Sequence, residues 1–258
     1  MAITYFITGA NRGIGFEFAK QVSADSNNIV FATTRSLANA TALQDLHRSN
    51  LHIIELDIGS SLEVFKESLA EPLAKFAPNG VDIIIQNAGI AKNSAKRVID
   101  SSPEEYEEHY RVNVVGPLKV YQSLLPYWSK QANPETPKKF IFINSVVGWV
   151  NNFYPFRSSH YGASKAALNH LTRHICFDNK SSDSDCIKNS IVIAVHPGLV
   201  LTDLAKKVFE DSGIDPDSSG LPSIYPDESV RNLLEIIDNL THEDNNTFIS
   251  NDGTRTSW

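Results

Sequence analysis

Short runs of Val, Ile and Phe without polar alternation recur along this chain, and a helix-patterned stretch follows nearly every one. ITYFIT, NIVFATT, LHIIELD, VDIIIQN, KKFIFINS and IKNSIVIAVHPG read as strands, with TFIS as the last. A strand with no polar side must be covered on both faces, and a helical crossover is what joins two parallel strands. The pattern predicts an α/β fold, a doubly wound parallel seven-stranded sheet flanked by helices. The expected helices are GFEFAKQVS, LANATALQDLHR, SLEVFKESLAEPLAKF, a long region from about Pro103 to Gln131, the segment holding Tyr161, and DESVRNLLEIIDNL. Residues 203–225, rich in Asp, Ser, Gly and Pro, read as a mobile loop. No solenoid-length repeat or linker stands out, so residues 1–258 are expected to form one domain.

Bulk properties exclude several classes of partner. The net charge is −7 and no long basic run occurs, which argues against nucleic acid and anionic membrane surfaces. No apolar run is long enough to span a bilayer. The opening MAITYFITGANRG reads as a strand and not as a signal peptide. Cys176 and Cys186 fit ordinary thiols in a reducing compartment, so a cytoplasmic location is expected. No spacing of Cys and His calls for a metal.

TGANRGIG, residues 8–15, follows the first strand and opens the first helix. Gly9, Gly13 and Gly15 allow a tight turn and a close backbone approach, and a helix N-terminus supplies free N–H groups to a pyrophosphate. Asn11, Arg12 and Ile14 complete the turn. A glycine triplet alone is a weak signal and also suits a structural turn, but the strand-turn-helix context predicts a Rossmann dinucleotide site. At the end of the second strand an acid would bind the 2′-hydroxyl of NAD, whereas an arginine would accept the 2′-phosphate of NADP. FATTRS places Thr33 and Thr34 where the acid would stand, then Arg35. With Arg12 nearby, this favours NADPH/NADP+. Asp57, followed by Ile58, ends the third strand beside the expected adenine; it either binds the adenine amino group or caps the helix beginning near Ser60.

SSHYGASKA, residues 158–166, puts Tyr161 and Lys165 one helical turn apart on one face. Such a pair is either a chance surface pair or a phenol tuned for proton transfer by an ammonium. TGANRGIG, the Asn87–Ala88–Gly89 of QNAG, Asn113 in RVNVVG, Ser145 in INSVVG, Tyr161 and Lys165 in YGASK, and HPGLVLT at 196–202 decide between them. In this order, and over nearly the whole chain, they resemble the short-chain dehydrogenase/reductase family, within it the Sniffer/C-factor-like and fungal ketoreductase carbonyl reductases. Two departures stand out: Gln86 where the family usually has Asn, and a longer stretch between Ser145 and Tyr161.

The resemblance implies a catalytic tetrad of Asn113, Ser145, Tyr161 and Lys165. Tyr161 would be the general acid, Ser145 would orient the carbonyl, and Lys165 would lower the phenol pKa and bind the nicotinamide ribose. Asn113 would hold a water that relays protons. It also places Pro197, Gly198, Val200 and Thr202 at the nicotinamide. His109, His160 and His196 have no spacing that demands acid–base work and read as structural or pocket-lining. Val147, Trp149, Phe153, Tyr154 and Phe156, near Ser145, with Leu204, Val208 and Phe209 from a lid over 203–225, suggest an apolar or aromatic carbonyl substrate. The expectation is an NADPH-dependent carbonyl reductase assembled as a homodimer or homotetramer through the helices around 103–131 and 158–178. The alternatives are a non-catalytic NADP-binding redox sensor and an NAD-dependent alcohol dehydrogenase working oxidatively.

Overall fold

The computed structural model describes residues 2–93, 95–130, 137–213 and 222–258. The elements run β1 (Thr4–Ile7), α1 (Gly13–Val22), β2 (Ile29–Thr34), α2 (Thr41–Gln44), β3 (Leu51–Glu55), α3 (Leu62–Phe76) and β4 (Ile83–Gln86). Then come α4 (Pro103–Tyr110), α5 (Gly116–Trp128), β5 (Lys139–Ile143), α6 (Ser159–Asn179), α7 (Asp185–Lys188) and β6 (Ile191–His196). The chain closes with β7 (Leu199–Val200), α8 (Asp203–Ser212), β8 (Ser223–Ile224), α9 (Pro226–Asp238), β9 (Phe248–Ser250) and β10 (Arg255–Thr256).

The main sheet has the order β10-β9-β6-β5-β4-β1-β2-β3, and β7 pairs with β8 in a separate two-stranded ladder. The seven expected strands are all parallel, and β10 adds an antiparallel eighth at the edge. Every residue of β1, β4 and β5 is buried, as strands covered on both faces require. Successive residues feed opposite layers. Tyr5 and Ile7 pack with Phe18, Val230 and Leu233 on one side, while Phe6 packs with Phe65, Leu124 and Trp128 on the other.

Three expectations change. The helix expected over LANATALQDLHR breaks into a 3₁₀ turn at Leu37–Asn39 and the single turn of α2. Neither piece has a side-chain cap, and Asn39 and Thr41 are weak helix formers. Residues 203–212, expected as loop, form α8. Thr202 caps it by accepting from Ala205 N at 3.3 Å, and Gly213 ends it at φ +63°. Residues 214–221 of the expected lid lie outside the described residues, as does Gln131. The long helical region is present from Pro103 to Trp128, but Arg111–Val115 forms a π-helical turn between α4 and α5, with Gly116 N–H bonded to Arg111 O.

Among the described residues no helix is long and apolar enough to cross a membrane.

Candidate functional site

The strand order reverses between β1 and β4, so the loops after these two strands diverge and leave a crevice at their C-terminal ends. Thr8 ties the loops together. Its hydroxyl accepts from Asn87 N and Ala88 N, each at 3.0 Å, and donates to Gln86 Oε1 at 3.0 Å. Gln86 Nε2 in turn donates to Ala88 O at 3.2 Å. The residue that departs from the family pattern is therefore a bridge between the two loops. Asn87 Nδ2 donates to the carbonyls of Thr8 and Gly9 at 3.0 Å.

The glycines are needed for space as well as for backbone conformation. Gly9 and Gly13 have φ of +65° and +58°. A Cβ on Gly15 would overlap Gly9 O and the Asn87 amide. Arg12 precedes α1 without capping it by side chain, so the first N–H groups of a ten-residue helix stay open toward the crevice. A Cβ on Gly13 would sit 3.2 Å from Thr202 Cγ2, so the segment after β6 closes on the same turn. Gly198 bends that segment at φ +87°, and Pro197 O is fixed by Ser229 Oγ at 2.6 Å. Thr202 spends an oxygen lone pair on capping α8 and keeps its O–H proton free to donate.

Arg12 and Arg35 are exposed, and their guanidiniums make no hydrogen bond or ion pair among the described residues. Thr33 contributes backbone and hydroxyl to the turn, taking Ala10 N at 2.8 Å and Gly9 N at 3.3 Å. Asp57 does not cap α3; Ser61 does, accepting from Val64 N. Asp57 Oδ1 instead takes Gly59 N–H at 2.9 Å. Ile58 is buried against the start of α5, where a Cβ on Gly116 would overlap it. Asn11 and Ile14 are half-buried at the rim of the turn, Ala88 backs it where a Cβ on Gly9 would press at 2.9 Å, and Gly89 is exposed beside Asn113. Val200 is buried in β7. A glycine cradle at an open helix N-terminus, flanked by unpaired guanidiniums, fits a dinucleotide phosphate backbone.

The four tetrad residues come from three elements. Asn113 lies in the π-helical turn; its amide pairs with both backbone groups of Ile90, accepting from N at 2.8 Å and donating to O at 2.9 Å. Nδ2 also donates to Ser164 Oγ at 3.0 Å. Ser145 follows β5 and is buried. Asn144 before it accepts from Ser145 N at 2.9 Å and donates to Lys165 O at 3.2 Å, locking the strand end to α6. Tyr161 and Lys165 stand on successive turns of α6, with Nζ 5.8 Å from the centre of the phenol ring. Burial pushes the Tyr161 pKa up to about 12, and the Ser145 side chain beside it draws it partly back. Burial pulls Lys165 down to about 8, and its Nζ donates to Ile143 O at 2.9 Å.

The expected substrate residues fall into separate places. Val147, Trp149, Phe153, Tyr154 and Phe156 line a mostly apolar groove of about 580 Å³, bounded by residues 96–98 and by Gly162, Ala163 and Ala166 of α6. Ser145, Tyr161 and Leu204 do not line it. The groove abuts the tetrad through Val147, Gly162 and Ala166, and through Gly148, where a Cβ would meet Lys165 at 2.7 Å. The Trp149 ring packs edge-on against Phe248 at 5.4 Å. Leu204 is exposed on α8, while Phe209 is buried. Among the described residues no three metal-ligating side chains converge. Sequence reading passed over Thr8, Asn144 and Ser164, and named Gln86 only as a departure from the family pattern. Their signal is that a polar side chain at a buried strand end or helix face needs a partner.

A model of the family described as short chain dehydrogenase matches residues 4–213. An uncharacterized oxidoreductase of Schizosaccharomyces pombe is 39% identical over 256 residues, covering 97% of this chain and 96% of the relative. Among solved structures, an NADPH-bound carbonyl reductase from chicken fatty liver superposes with a TM-score of 0.85 at 29% identity, over 100% of both chains. The carbonyl reductase Sniffer of D. melanogaster also gives 0.85, at 25% identity and over 100% of both chains. Matched through most of its length by the family model and end to end by these relatives, the chain belongs to the short-chain dehydrogenase/reductase family of oxidoreductases.

Proposed function

We propose that the chain is an NADPH-dependent carbonyl reductase that converts apolar or aromatic ketones and aldehydes to alcohols. The observation that carries the reading is the meeting of Ser145, Tyr161 and Lys165 where the end of β5 is locked to α6, in a chain whose first helix opens on a glycine cradle. Burial pushes the Tyr161 phenol up, which favours the protonated form that a general acid needs.

Bound NADPH supplies the hydride. Ser145 orients the carbonyl by donating to its oxygen. Tyr161 gives its proton to the same oxygen. Lys165 would keep positive charge beside the phenol and bind the nicotinamide ribose. Asn113 holds the strand-like backbone at Ile90 against the π-helical turn and would seat the water that returns a proton to Tyr161. Gly9, Gly13 and Gly15 with the start of α1 would hold the pyrophosphate, Asp57 and Ile58 the adenine, and Asn87, Ala88 and Gly89 the adenosine side. Pro197, Gly198, Val200 and Thr202 would hold the carboxamide. Arg12 and Arg35, unpaired and beside Thr33 and Thr34 in place of an acid, support NADPH over NADH. The apolar groove supports an aromatic substrate. Cys176 and Cys186, neither in a disulfide, support a cytoplasmic location, and exposed Tyr110, Val115 and Phe177 support a homo-oligomer built on the helical region from Pro103 to Trp128 and on α6.

The test is NADPH oxidation with a panel of aryl ketones, diketones and quinones, repeated with NADH and with Tyr161→Phe. The expected result is turnover with NADPH by the wild type, little with NADH, and none by the variant. Tight NADPH binding without turnover of any carbonyl, or of any alcohol with NADP+, would place the chain among non-catalytic sensors.

A further inference from the structure

Two buried histidines behind the tetrad form a unit that the proton-transfer chemistry does not use. His109 and His160 are both almost fully buried, and their rings meet edge-on at 4.4 Å. Between them they bind both backbone groups of Lys92. His109 Nε2 accepts from Lys92 N at 3.2 Å, and His160 Nε2–H donates to Lys92 O at 2.7 Å. His109 Nδ1–H donates to Glu105 O at 2.6 Å. A carbonyl oxygen can only accept, so His109 is the neutral Nδ1–H tautomer and His160 carries a proton on Nε2. His160 Nδ1 has no partner among the described residues.

The same arrangement recurs one step away. Asn113 binds N and O of Ile90 and donates to Ser164. His109 and Asn113 are four apart on the helix running from α4, and His160 and Ser164 are four apart on α6. Ile90 and Lys92 are two apart on the strap that leaves β4. Four helical residues rise about 6 Å and two extended residues about 6.6 Å. The helices and the strap therefore stay in step, and two rungs join them, one at Asn113–Ser164 and one at His109–His160. Just past the second rung the backbone has φ of +51° at Asn93 and +72° at Ala95. Such conformations persist in non-glycine residues only where the surroundings impose them. The chain then reaches Lys96, which lines the apolar groove and pairs with Glu105.

We infer that His109 and His160 are positioning residues that hold residues 90–92 in extended form, and so set the wall between the catalytic centre and the apolar groove. They act through Lys92 and Ile90 and touch no reacting atom. The substrate side of this inference rests on the reductase reading; the backbone side does not.

The test has two readouts. Amide exchange at Lys92 is expected to accelerate at least tenfold in His109→Leu, which removes the acceptor, with a smaller change at Ile90. His109→Gln, whose side-chain oxygen can accept, is expected to restore part of the protection. In kinetics, KM for a bulky aryl ketone is expected to rise about tenfold in His109→Leu and His160→Leu, while KM for NADPH stays within twofold. Should the Leu variants fail to fold, His109→Phe and His160→Phe, which keep a planar ring without donor or acceptor, carry the same comparison against wild type. Unchanged exchange at Lys92 overturns the clamp. Faster exchange with an unchanged ketone KM overturns its role in the groove. If the wild type reduces no carbonyl, the reductase reading fails and the exchange result still decides the clamp.

Discussion

The ammonium of Lys165 donates to the backbone carbonyl of Ile143 at 2.9 Å, and burial pulls its pKa down to about 8. Tyr161, one turn away, is pushed up to about 12. As pH rises, Lys165 therefore loses its charge well before Tyr161 loses its proton. The pH dependence of kcat/KM reports ionisations of the free enzyme. Reductive kcat/KM is expected to hold through neutrality and then fall about tenfold per unit above pH 8, the slope of a single ionisation. Lys165→Arg, charged at every pH used, is expected to remove that fall at a lower plateau. A wild-type profile flat to pH 10 would contradict this assignment.

Gly15 sits where α1, Gly9 O and the Asn87 amide converge. A methyl there must push the glycine turn away from the loop after β4. Gly15→Ala is expected to cost about 1 to 3 kcal/mol of stability, as overpacking does. It should also raise KM for NADPH more than KM for the ketone, because the displaced groups are those that hold the turn. Thermal unfolding with and without NADPH, beside steady-state kinetics, checks both parts. Equal rises in the two KM values would mean that the turn does not bind the cofactor.

The sheet was legible in the sequence because strands buried on both faces must be nearly all apolar. IIIQ and KFIFI leave no other reading. β10 was not legible, since Arg255 and Thr256 are two polar residues that pair only because the chain turns back beside β9. α8 was masked by composition. The Asp, Ser, Gly and Pro after residue 210 outweighed Leu204, Val208 and Phe209, which mark the apolar face of a helix. The π-helical turn at Arg111–Val115 was not legible from periodicity, because RVNVVG carries apolar residues on every side and so shows no phase to be shifted. The tetrad and glycine turn were legible because local spacing and chain order carry them. The histidine rungs were not, because Lys92 meets His109 and His160 across separations of 17 and 68 residues. Such partners are chosen by the packing of α4 on α6. The same holds for the groove, whose residues were foreseen but whose separation from Ser145 and Tyr161 was not.

Asp82 and Lys138 form an ion pair at 3.1 Å, with each side chain only 1% exposed. Asp82 Oδ2 also accepts from Thr4 N at 2.9 Å, and Lys138 Nζ donates to Val81 O at 2.6 Å. The pair pins the N-terminal ends of three adjacent strands. Lys138→Met strands a buried carboxylate and is expected to cost about 3 to 5 kcal/mol in urea unfolding. Adding Asp82→Asn, which keeps an acceptor for Thr4 N without the charge, is expected to recover most of the loss. A double variant as unstable as the single one would show that the pair itself, and not the stranded charge, sets the cost.

His196 ends β6 with its Nδ1 buried and unpartnered. Burial pulls its pKa down to about 4, against a weaker upward pull from Asp252. An unfolded histidine titrates near 6.5. Between these values the unfolded chain binds a proton that the folded chain refuses, so stability falls as pH drops from about 6.5 toward 4. Below pH 4 both forms are protonated and this contribution stops changing. The loss over the window is expected to be about 2 to 3 kcal/mol. His52 and His109, also lowered by burial, act in the same direction. Replacing the ring by an amide in His196→Gln removes the ionisation. Urea midpoints measured from pH 7 to pH 4 are expected to decline less steeply in the variant than in wild type. Parallel declines would mean that His196 takes up its proton in the folded protein without resistance, and that other groups drive the acid sensitivity.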